Sequence, residues 1–127
     1  MQAVYQLKIT LKHVVPPVWR RVLVPEDFTL AQLHRLIQAA MGWSDSHLHE
    51  FVGLRGGGRR RFMPAAVIED MDEFDAVDEG AVLMREVLSQ PKDRLRYFYD
   101  FGDAWSHDIT LEKLLKTGPD TRAPSCL

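Results

Sequence analysis

The sequence has one cysteine, Cys126, so no disulfide can close within the chain and no cysteine-rich zinc site can form. That usage fits a reducing compartment, and the expected location is the cytoplasm. No run approaches the ~20 consecutive apolar residues that cross a bilayer. The start, Met1-Gln2-Ala3-Val4-Tyr5, lacks the basic opening and apolar run of a secretion signal. No membrane contact is expected. None of Ser44, Ser46, Ser89, Ser106 and Ser125 lies in Gly-x-Ser-x-Gly, which excludes a nucleophile elbow. No Gly-Lys-Ser/Thr follows Gly56-Gly57-Gly58, which argues against a phosphate-binding loop there. No repeat or low-complexity tract is present. A net charge of −2 argues against strong non-specific nucleic-acid binding.

What is present suits one globular domain over residues 1–127: 46% of residues are hydrophobic and 27% charged, in the ordinary range for a single core. The charge is unevenly laid out. Residues 1–61 carry nine Lys/Arg against four Asp/Glu, residues 62–80 carry seven acids and no base, and residues 81–127 carry seven of each. The contrast peaks where Arg59-Arg60-Arg61 precedes the acidic run from Glu69 to Asp75. The acidic run reads as a solvated loop, with folding back onto the arginines as the alternative.

Tyr5, Leu7, Ile9 and Leu11 alternate with Gln6, Lys8, Thr10 and Lys12, the period of a strand with one wet face. Pro16-Pro17 marks a connection or an edge, and Val18 to Val24 alternates again up to Pro25. Thr29 as N-cap with Gln32 three residues later forms a capping box, and Phe28 and Leu33 occupy the staple positions. Leu30, Leu33, Ile37 and Met41 then recur at helical spacing before Gly42, which predicts a helix over 30–41. His47 to Leu54 is strand-like, with Leu48, Val52 and Leu54 on one parity and His49 and Phe51 on the other. Residues 64–80 read as a long irregular connection, and Val82 to Leu88 as a short helix. Leu95, Tyr97 and Tyr99 alternate with their neighbours; Phe101-Gly102-Asp103 forms a turn; Trp105, His107, Ile109 and Leu111 alternate in their turn, which completes a second hairpin. The segment 117–127 reads as a loose or truncated tail. The expected fold is α+β: an antiparallel or mixed sheet of about five to six strands, one main helix on one face, and a β-grasp-like topology.

Several stretches in order resemble one family. They are Pro16-Pro17-Val18-Trp19-Arg20-Arg21, Thr29-Leu30-Ala31-Gln32-Leu33-His34, Ile37 to Trp43, His47-Leu48-His49-Glu50-Phe51, and Tyr97 to His107. Over roughly residues 4–116 the chain is similar to the Ri-plasmid ORF-3-like family, found on plasmids and chromosomes. Some relatives carry transposon-resolvase labels and some are fused to a repressor-type DNA-binding domain, which implies mobile-element biology without assigning chemistry. Two features depart from the family pattern: the glycines and arginines of 55–61 replace a Tyr-Gly turn, and the chain ends at Pro124-Ser125-Cys126-Leu127 where relatives often continue. A site completed by such a tail would be missing.

Three groupings could carry function. His47, His49, His107, Asp100 and Asp103 include the imidazole and carboxylate types that bind a divalent metal; read structurally, they fix the hairpin. Trp19, Trp43, Tyr97, Tyr99, Phe101 and Trp105 could stack a planar ligand, with Arg20, Arg21 and Arg96 near for phosphate, but aromatics at strand spacing read first as core. Arg55, Arg59, Arg60 and Arg61 surround three glycines as a flexible basic loop. The leading expectation is a non-enzymatic module that binds a protein partner through one sheet face or the Pro16–Arg21 edge, without a cofactor. The alternatives are a small metal-dependent enzyme using His47, His49 and His107, and a DNA-associated accessory domain whose nucleic-acid binding is weak at most. Resolvase activity is not expected, because there is no helix-turn-helix pair.

Overall fold

The computed structural model describes residues 3–44, 47–53, 60–72, 75–100, 105–116 and 123–126. The chain runs β1 (Ala3–Leu11), β2 (Val18–Pro25), α1 (Leu30–Met41), β3 (His49–Gly53), β4 (Arg60–Met63), α2 (Ala65–Asp70), β5 (Val77–Asp78), a 3₁₀ turn (Glu79–Ala81), α3 (Met84–Val87), β6 (Arg94–Tyr99), β7 (Trp105–Lys116) and β8 (Ser125–Cys126). The strands form one sheet in the order β5-β4-β3-β6-β7-β1-β2-β8. Every pairing is antiparallel except the parallel β4–β5 pair. The α+β class and the mixed sheet are as expected.

Several details differ. The sheet has eight strands rather than five or six, because β4 and the two-residue strands β5 and β8 add to its edges. Three helices of twelve, six and four residues stand where one was expected, with α1 the longest. Residues 64–80 are not wholly irregular, since they hold α2 and β5. Arg60 and Arg61 are strand residues rather than loop, and Ser125–Cys126 pairs with β2 rather than hanging loose. The first and seventh strands run antiparallel, so the sheet lacks the parallel central pair of a β-grasp. Arg55, Arg59, the three glycines, and the turn Phe101-Gly102-Asp103 lie outside the described residues.

The predicted helix forms for the local reasons read from its sequence. The Thr29 hydroxyl accepts from Gln32 N (3.1 Å), and the Gln32 side chain accepts from Thr29 N (2.8 Å), so two donors that the helix leaves orphaned are satisfied. At the other end Gly42 is left-handed (φ 74°), and Trp43 N donates to Gln38 O (2.8 Å). Leu30, Leu33 and Ile37 are buried in one core with Leu7, Ile9, Leu95, Tyr97, Ile109 and Leu111. Leu30 N donates to Val82 O and Met84 N to Phe28 O, which ties the segment around α3 to the helix entrance. The other sheet face carries ion pairs: Arg21 with Glu112 (2.7 Å), Arg61 with Glu50 (2.9 Å), and Arg96 with Asp108 (3.5 Å).

Candidate functional site

Two polar side chains interrupt the buried stripe of α1. His34 and Gln38 are four residues apart, so they share one helix face and point at the same spot of the sheet. That spot is Tyr97, wholly buried on β6. Gln38 Nε2 donates to the Tyr97 hydroxyl (2.9 Å), and that hydroxyl lies 2.6 Å from His34 Nδ1. The simplest assignment has the hydroxyl donating to His34 Nδ1, because it already accepts from Gln38. His49, at the start of β3, stacks on His34 with ring centroids 3.5 Å apart. His49 Nε2 lies 2.7 Å from Glu79 Oε1, and both residues are buried. A buried carboxylate is costly without a partner, and the imidazole N–H supplies one. This is the only hydrogen bond of the His49 ring among the described residues.

Above this network lies a cleft of about 410 Å³, lined by His34, His47, His49, Asp78, Glu79 and Arg35 with apolar atoms of α2 and its approach. A second cleft of about 320 Å³ adjoins it through the shared wall of His47. Its walls include Trp43, Tyr99, Asp100 and Trp105. The Gly42 turn carries Trp43 onto Tyr99, where the rings stack at 4.7 Å, and Trp43 meets His107 edge-on at 5.1 Å. Tyr99 and Trp105 are cross-strand partners in the β6–β7 ladder. Asp100 is left-handed (φ 64°), a conformation Asp tolerates, and its N–H donates to Leu48 O (2.7 Å).

The candidate residues read from sequence separate here. His47 and His49 are two residues apart but do not share a strand face, because β3 begins at His49 and His47 precedes it. His47 is half exposed with Nδ1 3.7 Å from Asp100 Oδ2, whereas His49 is engaged by Glu79. His107 is wholly buried with Nδ1 3.3 Å from the Tyr97 carbonyl. Burial pushes its imidazole below the usual histidine range, against two backbone carbonyls that favour the charged ring. Strand β6 separates β3 from β7, and Tyr97 has His49 on one side (5.8 Å between centroids) and His107 on the other (5.4 Å). The three histidines therefore do not converge. Among the described residues no three His, Cys, Asp or Glu side chains are placed to hold one metal ion.

The basic residues form no single patch. Arg20 Nε reaches Ala40 O (3.3 Å) at the end of α1, where a cation suits the exposed carbonyls. Arg21 binds Glu112 through two nitrogens (2.7 and 3.1 Å), which raises the guanidinium and lowers the carboxyl. Arg60 lies over Phe62, and Arg61 reaches both Glu50 and, at 3.8 Å, Asp75. The acidic run thus does contact an arginine. Four strands stand between β4 and β2, about 24 Å at the usual strand spacing.

Sequence reasoning missed His34, Gln38 and Glu79. The first two carried a signal, since polar side chains at positions i and i+4 fell inside an apolar helical stripe. Glu79 carried none.

The sequence model for the family described as plasmid pRiA4b ORF-3-like protein matches residues 3–127. The chain belongs to this family. The match is longer than the 4–116 read from motifs and includes β8. The chain is similar to the uncharacterised protein y4hQ of Sinorhizobium fredii, with 39% identity over 112 residues, covering 87% of this chain and 54% of y4hQ. It therefore spans about half the length of that relative. The chain also resembles the crystal structure of MM3350, a protein of unknown function from Methanosarcina mazei Go1. There the TM-score is 0.86 at 32% identity, covering 100% of this chain and 68% of that one. The fold of this chain is thus similar to that of MM3350, and no helix among the described residues is long and apolar enough to cross a membrane.

Proposed function

We propose that this domain is a non-enzymatic recognition module that receives a segment of a protein partner in the groove formed by the two clefts. The observation that carries the reading is their adjacency: both are walled by His47, and Leu48 and Trp105 stand exposed beside them. Exposed large apolar side chains around a concave, mostly polar floor are the usual make-up of a peptide site. The floor is held by α1, β3 and β6 through the Gln38–Tyr97–His34 chain and the His49–Glu79 pair, so it is presented rigid. The family description, which names a plasmid reading frame, supports a setting in plasmid or mobile-element biology. The test is selection from a random peptide display library against the purified domain. Enriched peptides that lose binding on Trp105→Ala and Leu48→Ala support the reading; a library that yields none, or peptides indifferent to both changes, refutes it.

One observation favours a second reading. Glu79 on His49 Nε2 is the arrangement that orients an imidazole as a general base, and His49 is among the residues that line the cleft. The reading as a small enzyme, with or without a divalent metal, is tested by elemental analysis of untagged protein. Stoichiometric metal that is lost in His49→Ala would favour it over recognition.

A further inference from the structure

We infer that the cleft between Trp43 and Trp105 takes the guanidinium of an arginine side chain from the protein partner. This inference rests on the recognition reading above and names the chemistry of one end of that groove.

Two tryptophans of this protein are similarly exposed, Trp19 at 42% and Trp105 at 41%, and they are treated differently. Trp19 is covered by cations of its own chain, with Lys8 Nζ 5.0 Å and Arg21 Cζ 5.2 Å from its ring. Among the described residues no cation lies over Trp105 or Trp43. The residues described as lining this cleft include no Lys or Arg. Asp100 supplies the one carboxylate among the described residues that line it.

The cleft itself joins Trp43, Tyr99 and Trp105 with the Asp100 carboxylate. Aromatic faces attract a cation through their quadrupole, and a carboxylate beside them adds charge and hydrogen-bond acceptors. Of the natural cations, guanidinium fits best. It is planar, stacks on aromatic rings, gives up its hydration more readily than ammonium, and can fork onto a carboxylate. The adjoining cleft has Asp78 on its wall, with Arg35 there as well and Glu79 already held by His49. An extended segment seated with its arginine at Trp105 would run its neighbouring residues past His47 toward that second cleft.

The experiment uses the whole domain, the peptides selected on it, and N-acetyl-arginine amide with its neutral isostere N-acetyl-citrulline amide. Binding is read from the indole N–H signals of Trp19, Trp43 and Trp105 by NMR titration. The expected result is that selected peptides carry arginine and that replacing it by citrulline weakens them about five- to thirty-fold. The free arginine amide should shift Trp43 and Trp105 but not Trp19, and the citrulline amide should shift none. Trp105→Leu and Asp100→Asn should each weaken the arginine peptide about five-fold or more, while Trp105→Phe keeps part of the affinity. Trp105 is exposed, so these variants retain the fold. Selected peptides without arginine, or equal binding of the citrulline form, would overturn the inference while leaving peptide recognition standing. Shifts from the free arginine amide with no selectable peptide would instead overturn the recognition reading, and with it the protein source of the arginine.

Discussion

His34 lies face to face with His49, with ring planes 7° from parallel and centroids 3.5 Å apart. The stack is the one place where the helix polar pair and the strand–carboxylate pair meet. On its helix side Tyr97 and Gln38 hold His34, and on its strand side Glu79 holds His49. Neither ring can turn without breaking a bond to a buried partner, so the floor of the first cleft moves as a unit.

Glu79 should therefore matter more to stability than an acid in a surface turn. Glu79→Ala leaves the buried His49 Nε2 without its hydrogen-bond partner, and a loss of about 1 to 3 kcal/mol is expected in urea unfolding. Paired with His49→Ala in a double-mutant cycle, the two changes should fall short of additivity by at least about 0.5 kcal/mol. Full additivity would mean that the pair does not interact in solution.

Gly42 positions the aromatic cleft through its backbone alone. A Cβ there would meet no atom within 4 Å, so Gly42→Ala is opposed only by the left-handed φ of 74°. A loss of about 1 to 2 kcal/mol is expected, with a smaller one for Gly42→Asn, which tolerates that region. The emission of Trp43 should change with it. An unaltered melt would show that the turn relaxes without cost.

At the opposite end of α1, Thr29→Ala breaks the capping box and should cost about 1 kcal/mol. Leu33→Ala, at a wholly buried position, should cost about 2 to 5 kcal/mol by leaving a cavity under the helix. Thermal or urea melts check both. A larger loss for Thr29→Ala than for Leu33→Ala would contradict the packing described.

His107 predicts a pH dependence with a definite sign. The unfolded imidazole takes up a proton near its ordinary value of 6.5, whereas the folded one does so only at lower pH. Stability from this residue is therefore complete above about pH 6.5 and declines as the pH falls below it. The unfolding midpoint should drop between about pH 7.5 and about pH 5.5, and His107→Phe should flatten that slope. An equal slope in the variant would assign it to other groups.

Nucleic-acid binding should be weak and salt-sensitive, because four strands stand between Arg20 and Arg21 on one side and Arg60 and Arg61 on the other, and Arg21 and Arg61 are already held by carboxylates. Gel shifts or fluorescence anisotropy across a salt series would measure this. Sequence-preferring binding that survives about 0.15 M salt would favour a DNA-associated role instead.

The sequence by itself determined the elements whose signals are local. The Thr29–Gln32 box and Gly42 bound α1 within a few residues of the atoms they satisfy, and the alternation in β1, β6 and β7 needed only the two-residue period of a strand. Tertiary structure decided everything that depended on a distant partner. β3 offered two parities, and the core chose the one that buries His49 and Phe51 while leaving Leu48 exposed. β5 and β8 are two residues long and exist only because β4 and β2 offer an edge to pair with. Glu79 stands thirty residues from His49, and no local pattern marks it as a partner. Propensity and capping act over one turn or one strand pair, whereas a buried hydrogen-bonded pair is specified by which strands become neighbours, and that is settled only when the whole sheet packs against α1.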